Sequence, residues 1–142
     1  MVQQKREYSS DLAQLPQMRV FVREVCQSVW SAETDAIALD ELELAVQESA
    51  CNIITHAYQG EAGQPIELVV QADAEEIWVT LHHGGVDFDP AAVPPPAFDG
   101  SREGGFGLYL IKNLVDEVQF LRRAGEQHGT CLHKRRKRNG TR

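Results

Sequence analysis

The 142-residue chain is predicted to fold as an α+β protein, a two-layer α/β sandwich in which helices cover one face of a mostly antiparallel sheet. Two long helical patterns come first, strand patterns joined by short turns follow, and one further helix interrupts the strands. The length suits a single core and is too short for two ordinary domains. Residues 1–142 are therefore read as one domain, with the core over about 12–134 and a basic tail at 135–142.

Each element has its own signal. Residues 5–8 are expected to add an edge strand. Over 15–30, Leu15, Met18, Val22, Val25 and Val29 recur every three or four residues, which is a helix with one buried face, and Pro16 suits its first turn. A second helix is expected over 35–58, where Leu42, Ala45, Val46, Ser49, Ala50, Ile53 and Ala57 draw the core stripe, and Gly60 and Gly63 break the chain after it. Residues 66–72 and 77–81 are β-branched and apolar, and the polar turn at 73–76 makes them a hairpin. A loop over 82–106 holds four of the six prolines, including Pro94, Pro95 and Pro96 in a row. Loops of this length inside a compact domain tend to be functional. A helix over 107–117 and strands over 118–122 and 130–134, joined by 125–129, complete the pattern.

The charge distribution narrows the function. Residues 1–133 carry only eight of the 14 Lys and Arg but all 21 Asp and Glu, so the body is acidic and the remaining basic groups crowd the tail. An acidic body repels phosphate backbones and argues against direct nucleic-acid binding. The tail run Lys134, Arg135, Arg136, Lys137, Arg138 reads as a solvated, frayed terminus. The first residues lack the apolar run of a signal peptide and no stretch is long enough to span a bilayer, so a cytoplasmic protein without membrane contact is expected. Cys26, Cys51 and Cys131 are odd in number and widely spaced, which suggests reduced, mostly buried thiols.

Three constellations could carry chemistry. Glu48, Asn52 and His56 stand at i, i+4 and i+8 of the second helix, so all three are expected on one narrow stripe. A carboxylate and an amide oxygen one turn apart suit an octahedral Mg²⁺ carrying a triphosphate, with Glu48 left as a base. An ordinary polar helix face has the same pattern. Gly104, Gly105, Phe106, Gly107 and Leu108 stand where the long loop enters a helix, a place where backbone N–H groups can approach phosphate oxygens, and Arg102 lies just ahead. The same glycines serve any tight loop-to-helix turn. His82, His83, Gly84 and Gly85 follow a strand directly. The two imidazoles alternate across the strand and lack a further ligand at metal spacing, which argues against a metal site there. No G-x-S-x-G elbow supports nucleophilic hydrolysis.

Together these pieces resemble a known family. Glu48-Ser-Ala-Cys-Asn52-Ile-Ile-Thr-His56-Ala57-Tyr58 resembles the N box of the GHKL ATPases, and its nearest likeness is the bacterial anti-sigma factor serine kinases of partner-switching systems. Gly104-Gly105-Phe106-Gly107-Leu108-Tyr109-Leu110-Ile111, with Asp116-Glu117-Val118 beyond, looks like their second glycine box and helix. Gly129-Thr130 resembles the pair that opens their last strand, near the adenine. The resemblance implies a Bergerat-type fold, ATP and Mg²⁺ as cofactors, Asn52 as the Mg²⁺ ligand and Glu48 as the catalytic base. It implies nucleotide contacts from Asn52, His56, His82, His83, Gly84, Gly85, Arg102, Gly104, Gly105, Phe106, Gly107, Leu108 and Thr130, with an ATP lid over residues 93–104. The implied partners are a STAS-type anti-anti-sigma protein, phosphorylated on serine, and a sigma factor held inactive, with the kinase as a homodimer.

One position departs from the family. Its first glycine box reads Asp-x-Gly, and the aspartate accepts the adenine amino group's hydrogen bond. Here His82 or His83 takes that place. A neutral imidazole accepts one hydrogen bond, against several for a carboxylate. The departure keeps a second expectation open: a switch protein that sequesters its partners with little or no phosphorylation. The ATP-binding half of a histidine kinase is disfavoured, because no phospho-accepting helix precedes the domain.

Overall fold

The computed structural model describes residues 1–88, 106–122 and 127–137. Strand β1 (Val2–Ser9) comes first, and a single 3₁₀ turn at Leu12–Gln14 leads into helix α1 (Leu15–Cys26). Helix α2 (Ala36–Asn52) runs on into one π turn, Ile53–Ala57. Strands β2 (Pro65–Ala72) and β3 (Glu76–His83), helix α3 (Phe106–Leu114), and strands β4 (Glu117–Arg122) and β5 (His128–Arg135) follow. The sheet order is β1-β2-β3-β5-β4 with every neighbouring pair antiparallel. This is the α+β sandwich that the sequence pattern predicts.

Alternation along the strands builds the core. Ile66, Leu68, Val70 and Ala72 of β2 and Ile77, Val79 and Leu81 of β3 are fully buried. They meet Met18, Phe21 and Val22 of α1 and Leu39, Leu42, Val46 and Ala50 of α2, all on one side of the sheet. Burial of each large aliphatic side chain contributes about 1.5–3 kcal/mol. Helix α2 lies at the centre of the helical layer, between α1 and α3. Lys134 reaches in from β5, where its Nζ donates to Glu41 Oε1 at 2.9 Å and to the Leu114 carbonyl at 2.5 Å, tying both helices to the sheet. Cys26, Cys51 and Cys131 are free thiols, and burial pushes the Cys26 pKa up to about 12. No helix among the described residues is long and apolar enough to cross a membrane.

Four sequence expectations change in detail. The edge strand is longer than 5–8: all of Val2–Ser9 pairs with β2, from Val2 opposite Ala72 to Ser9 opposite Pro65. Helix α1 stops at Cys26, and Trp30 is instead buried beyond its end, donating from Nε1 to the Asp73 carbonyl at 2.8 Å. Helix α2 does not continue as an α-helix to Tyr58. The basic run is not a free tail from 135 onward, because β5 includes Arg135, and Arg136 folds back over the body.

Arg136 holds Asp35 through Nη2–Oδ2 at 3.0 Å and Nε–Oδ1 at 3.2 Å, donates from Nη1 to the Ala74 carbonyl, and lies 5.7 Å over the Trp30 ring. Asp35 is only 5% exposed. Removing the guanidinium leaves that carboxylate buried without its counter-charge. Arg136→Ala is therefore expected to cost about 2 kcal/mol, read from the urea midpoint. The double change with Asp35→Asn should cost less than the sum of the single changes, since the stranded charge is gone.

Candidate functional site

The site begins on α2. Glu48 and Asn52 are half-buried at the border between the core face, where Ser49 and Ala50 are buried, and solvent. Neither side chain hydrogen-bonds another described residue. A carboxylate and an amide oxygen one turn apart, both with free lone pairs, can ligate a hard cation or take up a proton. Among the described residues no group of three or more His, Cys, Asp and Glu could hold a metal unaided. An ion here would draw most of its ligands from phosphate and water, as Mg²⁺ does.

The π turn changes the expected position of His56. Tyr58 N donates to Ile53 O at 3.0 Å and Gly60 N to Ile54 O at 2.8 Å, and the helix ends through Gln59 and Gly60 at φ of 52° and 82°. The α-helical register ends at Asn52, so the i+4 spacing that sets the Glu48–Asn52 stripe does not by itself place His56. His56 is exposed, and its ring centroid stands 5.4 Å from that of Phe88. Single π turns inside α-helices are frequent at functional sites.

Strand β3 then separates the two histidines. His82 points to the outer face of the sheet, paired with Gly129. His83 points to the helical side, paired with Ile66 and His128, and is 4% exposed. Its ring lies 5.6 Å from that of His128, 6.4 Å from Phe88 and 6.2 Å from Tyr58, the last edge-on. Its Nδ1 is 2.8 Å from the Gly84 carbonyl oxygen. Burial pushes the His83 pKa below the ordinary imidazole value, His128 and His82 add to that, and the Gly84 bond opposes it. At neutral pH the ring is uncharged.

The glycines after β3 lock this strand end to the π turn. Gly84 N donates to Tyr58 OH at 2.8 Å, Tyr58 OH donates to the Pro65 carbonyl at 2.6 Å, and Val86 N donates to Ala57 O at 2.8 Å. Gly85 has φ +87°, and a Cβ there would lie 2.4 Å from Ala57 O. In this structure the role of Gly85 is close backbone packing.

Beside this junction a narrow pocket is lined by His83, Phe88, Phe120, Leu121, Arg122, His128, Gly129 and Thr130, with room for about one water molecule. Phe88 stands over it, against both His56 and His83. Thr130 is buried, opposite Leu81 in the register. His128 is 7% exposed, and its buried Nδ1 has no hydrogen-bond partner among the described residues. Sequence reasoning did not single out His128, Phe120 or Arg122. For His128 a signal existed: it lies two residues before Thr130, hence on the same strand face.

Phe106, Gly107 and Leu108 form the first turn of α3, which packs against α2 and buries Ile111. Arg102, Gly104 and Gly105, and the loop at 93–104, lie outside the described residues. Glu48, Asn52, the His83–Gly85 strand end and the start of α3 are thus all carried by α2 or by elements packed on it.

Comparison with known proteins agrees with this arrangement. Residues 8–135 match the family described as Histidine kinase-like ATPase domain. The serine-protein kinase RsbW of Bacillus pumilus is 33% identical over 97 residues, covering 61% of this chain and 60% of that protein. RsbW of Halalkalibacterium halodurans is 30% identical over 93 residues, covering 61% of this chain and 57% of that protein. The alignments thus span about three-fifths of the length of these curated relatives. The crystal structure of the RsbU and RsbW domains of Rv1364c from Mycobacterium tuberculosis superposes with a TM-score of 0.64 over 95% of this chain and 32% of that one, at 14% identity, which shows a shared fold. With the family match extending across nearly all of the sheet and all three helices, the chain belongs to the histidine kinase-like ATPase domain family.

Proposed function

We propose that the chain is an anti-sigma-factor-type serine-protein kinase, which binds ATP with Mg²⁺ and phosphorylates a serine of a STAS-type anti-anti-sigma protein. It exchanges between that partner and a sigma factor, and a homodimer belongs to the same reading. The observation that carries it is the pair Glu48 and Asn52, one turn apart on α2 with no partner among the described residues, in a family whose curated relatives include serine-protein kinases.

The donor set suits such a ligand. Asn52 offers a neutral oxygen for the cation, and Glu48 stands one turn away with no hydrogen-bond partner among the described residues. The first turn of α3, starting at Phe106, turns its N–H groups and the positive end of its dipole toward whatever precedes the helix, a setting that suits phosphate oxygens. Bound ATP–Mg²⁺ supplies the γ-phosphoryl group and neutralises its charge. Glu48 accepts the proton of the incoming serine hydroxyl, and Asn52 fixes the register of the triphosphate against it. For a base to enter the pocket under Phe88, that ring must move aside.

Calorimetric titration of ATP with and without Mg²⁺ tests the assignment. Asn52→Ala is expected to remove most of the metal-dependent gain in affinity, a loss of about 10-fold or more. An unchanged metal dependence would remove Asn52 from the site. Mass spectrometry of the partner should find phosphoserine. The replacement of a carboxylate by His83 and the narrowness of the pocket favour one second reading, a switch protein that holds its partners without phosphorylating them. Partner binding without any phosphoserine would establish it.

A further inference from the structure

The hydroxyl of Tyr58 carries an inference that rests on the nucleotide-binding reading above. We infer that Tyr58 is a positioning residue for the nucleotide: its hydroxyl takes the Gly84 N–H, returns a hydrogen bond to the Pro65 carbonyl, and so fixes the end of β3 against α2, the helix that bears Glu48 and Asn52.

Tyr58 sits where the helical chain ends. Its own N–H closes the π turn on Ile53 O at 3.0 Å, and the residue is 7% exposed, with its ring edge-on to His83 at 6.2 Å. An N–H only donates and a carbonyl only accepts, so the two bonds, of 2.8 and 2.6 Å, use the hydroxyl once in each direction. Burial pushes its pKa above the ordinary phenol value, the Gly84 bond opposes this and Glu7 adds to it, so the proton that bonds Pro65 stays in place at neutral pH. Among the described residues, the Gly84 bond and Val86 N to Ala57 O join the end of β3 to the end of the helical chain, and only the first is made by a side chain. A nucleotide whose metal sits at Asn52 and whose far end reaches the glycines after β3 spans the gap that these bonds hold. A loosened strand end would have to be ordered again at the expense of binding.

A second hydroxyl relay of the same kind separates positioning from stability. Ser10, 2% exposed, accepts from Gln64 N at 2.9 Å and donates to the Glu61 carbonyl at 2.6 Å. Both of its bonds end on the connection between the π turn and β2, whereas the Tyr58 relay has one end on Gly84. Each relay joins one backbone N–H to one backbone carbonyl through a buried hydroxyl, so removing either hydroxyl strands the same kinds of group at a similar cost in stability. Only the loss at Tyr58 frees the end of β3.

The test compares two variants of the full chain. Tyr58→Phe keeps the ring and removes only the hydroxyl, and Ser10→Ala removes the other relay. Both melting temperatures are expected to fall by about 3–8 °C. Calorimetry with ADP and Mg²⁺ should then tell them apart, with Tyr58→Phe binding about 10-fold more weakly than the wild type and Ser10→Ala within about 2-fold of it. Amide exchange on the wild type gives a readout that needs no variant: the Gly84 N–H should be as protected as the amides within β3. It should lose that protection in Tyr58→Phe and regain it with saturating ADP and Mg²⁺, which then hold the strand end. Rapid wild-type exchange at Gly84, or a Tyr58→Phe affinity equal to that of the wild type or of Ser10→Ala, would overturn the inference and leave nucleotide binding intact. Absence of ADP binding to the wild type would instead bring down the kinase reading, and this inference with it.

Discussion

Glu48→Gln is expected to slow serine phosphorylation of the partner by about 10²- to 10⁴-fold, the usual worth of a positioned general base, while ATP affinity changes little. The carboxamide keeps the size and one oxygen of the side chain but cannot take the serine proton. Glu48 is half-exposed and has no hydrogen bond to any described residue, so its replacement strands nothing and the melting temperature should barely move. Single-turnover transfer of labelled phosphate, run beside calorimetric ATP titration, separates the two effects. A variant that transfers at the wild-type rate would remove Glu48 from the chemistry. A variant that loses ATP binding in proportion would make it a ligand in place of a base.

The sequence made the layers of this fold legible because period is a local property. The three- and four-residue recurrence of Leu15, Met18, Val22 and Val25 and the alternation of Ile66, Leu68 and Val70 each fix which face is buried without knowledge of any partner. Strand β1 was only partly visible for the converse reason. Gln3, Gln4, Lys5, Arg6 and Glu7 are all exposed on a polar edge, and the strand exists because β2 offers it a backbone to pair with. The same distinction runs through the site. Glu48 and Asn52 sit within one α-helical stretch, so their spacing alone placed them on one stripe. His56 could not be placed that way, because Ile53, Ile54 and Ala57 fit an α stripe as well as the π turn that the structure has there. Deciding between His82 and His83 needed the strand register, which put one on each face. Arg136 looked like a solvated tail residue because its carboxylate, Asp35, is 101 positions away in the chain.

Gly85→Ala is expected to be the most damaging single substitution at the site, through two costs that can be separated. The residue sits at φ +87°, where an L side chain is strained by about 1–2 kcal/mol. Its new Cβ would also lie 2.4 Å from Ala57 O, 2.8 Å from the Ala57 carbonyl carbon and 2.9 Å from Tyr58 Cδ1, and the first two are backbone atoms that cannot rotate away. Relief requires the β3 end to lift from the π turn, which breaks the Val86 N to Ala57 O bond and loosens Gly84 N from Tyr58 OH. The sum should reach about 3 kcal/mol or more, a fall in melting temperature of roughly 10 °C for a domain of this size. ADP affinity should fall as well, since His83 and Gly84 are held by the same junction. Gly63→Ala supplies the control, because Gly63 has φ +81° but no atom within 4 Å of its would-be Cβ, so it bears the conformational strain alone. The difference between the two melting curves measures the strand-to-turn contact itself. If Gly85→Ala proves no more costly than Gly63→Ala, β3 does not press against the π turn in solution, and the geometry that holds His83 at the pocket fails with it.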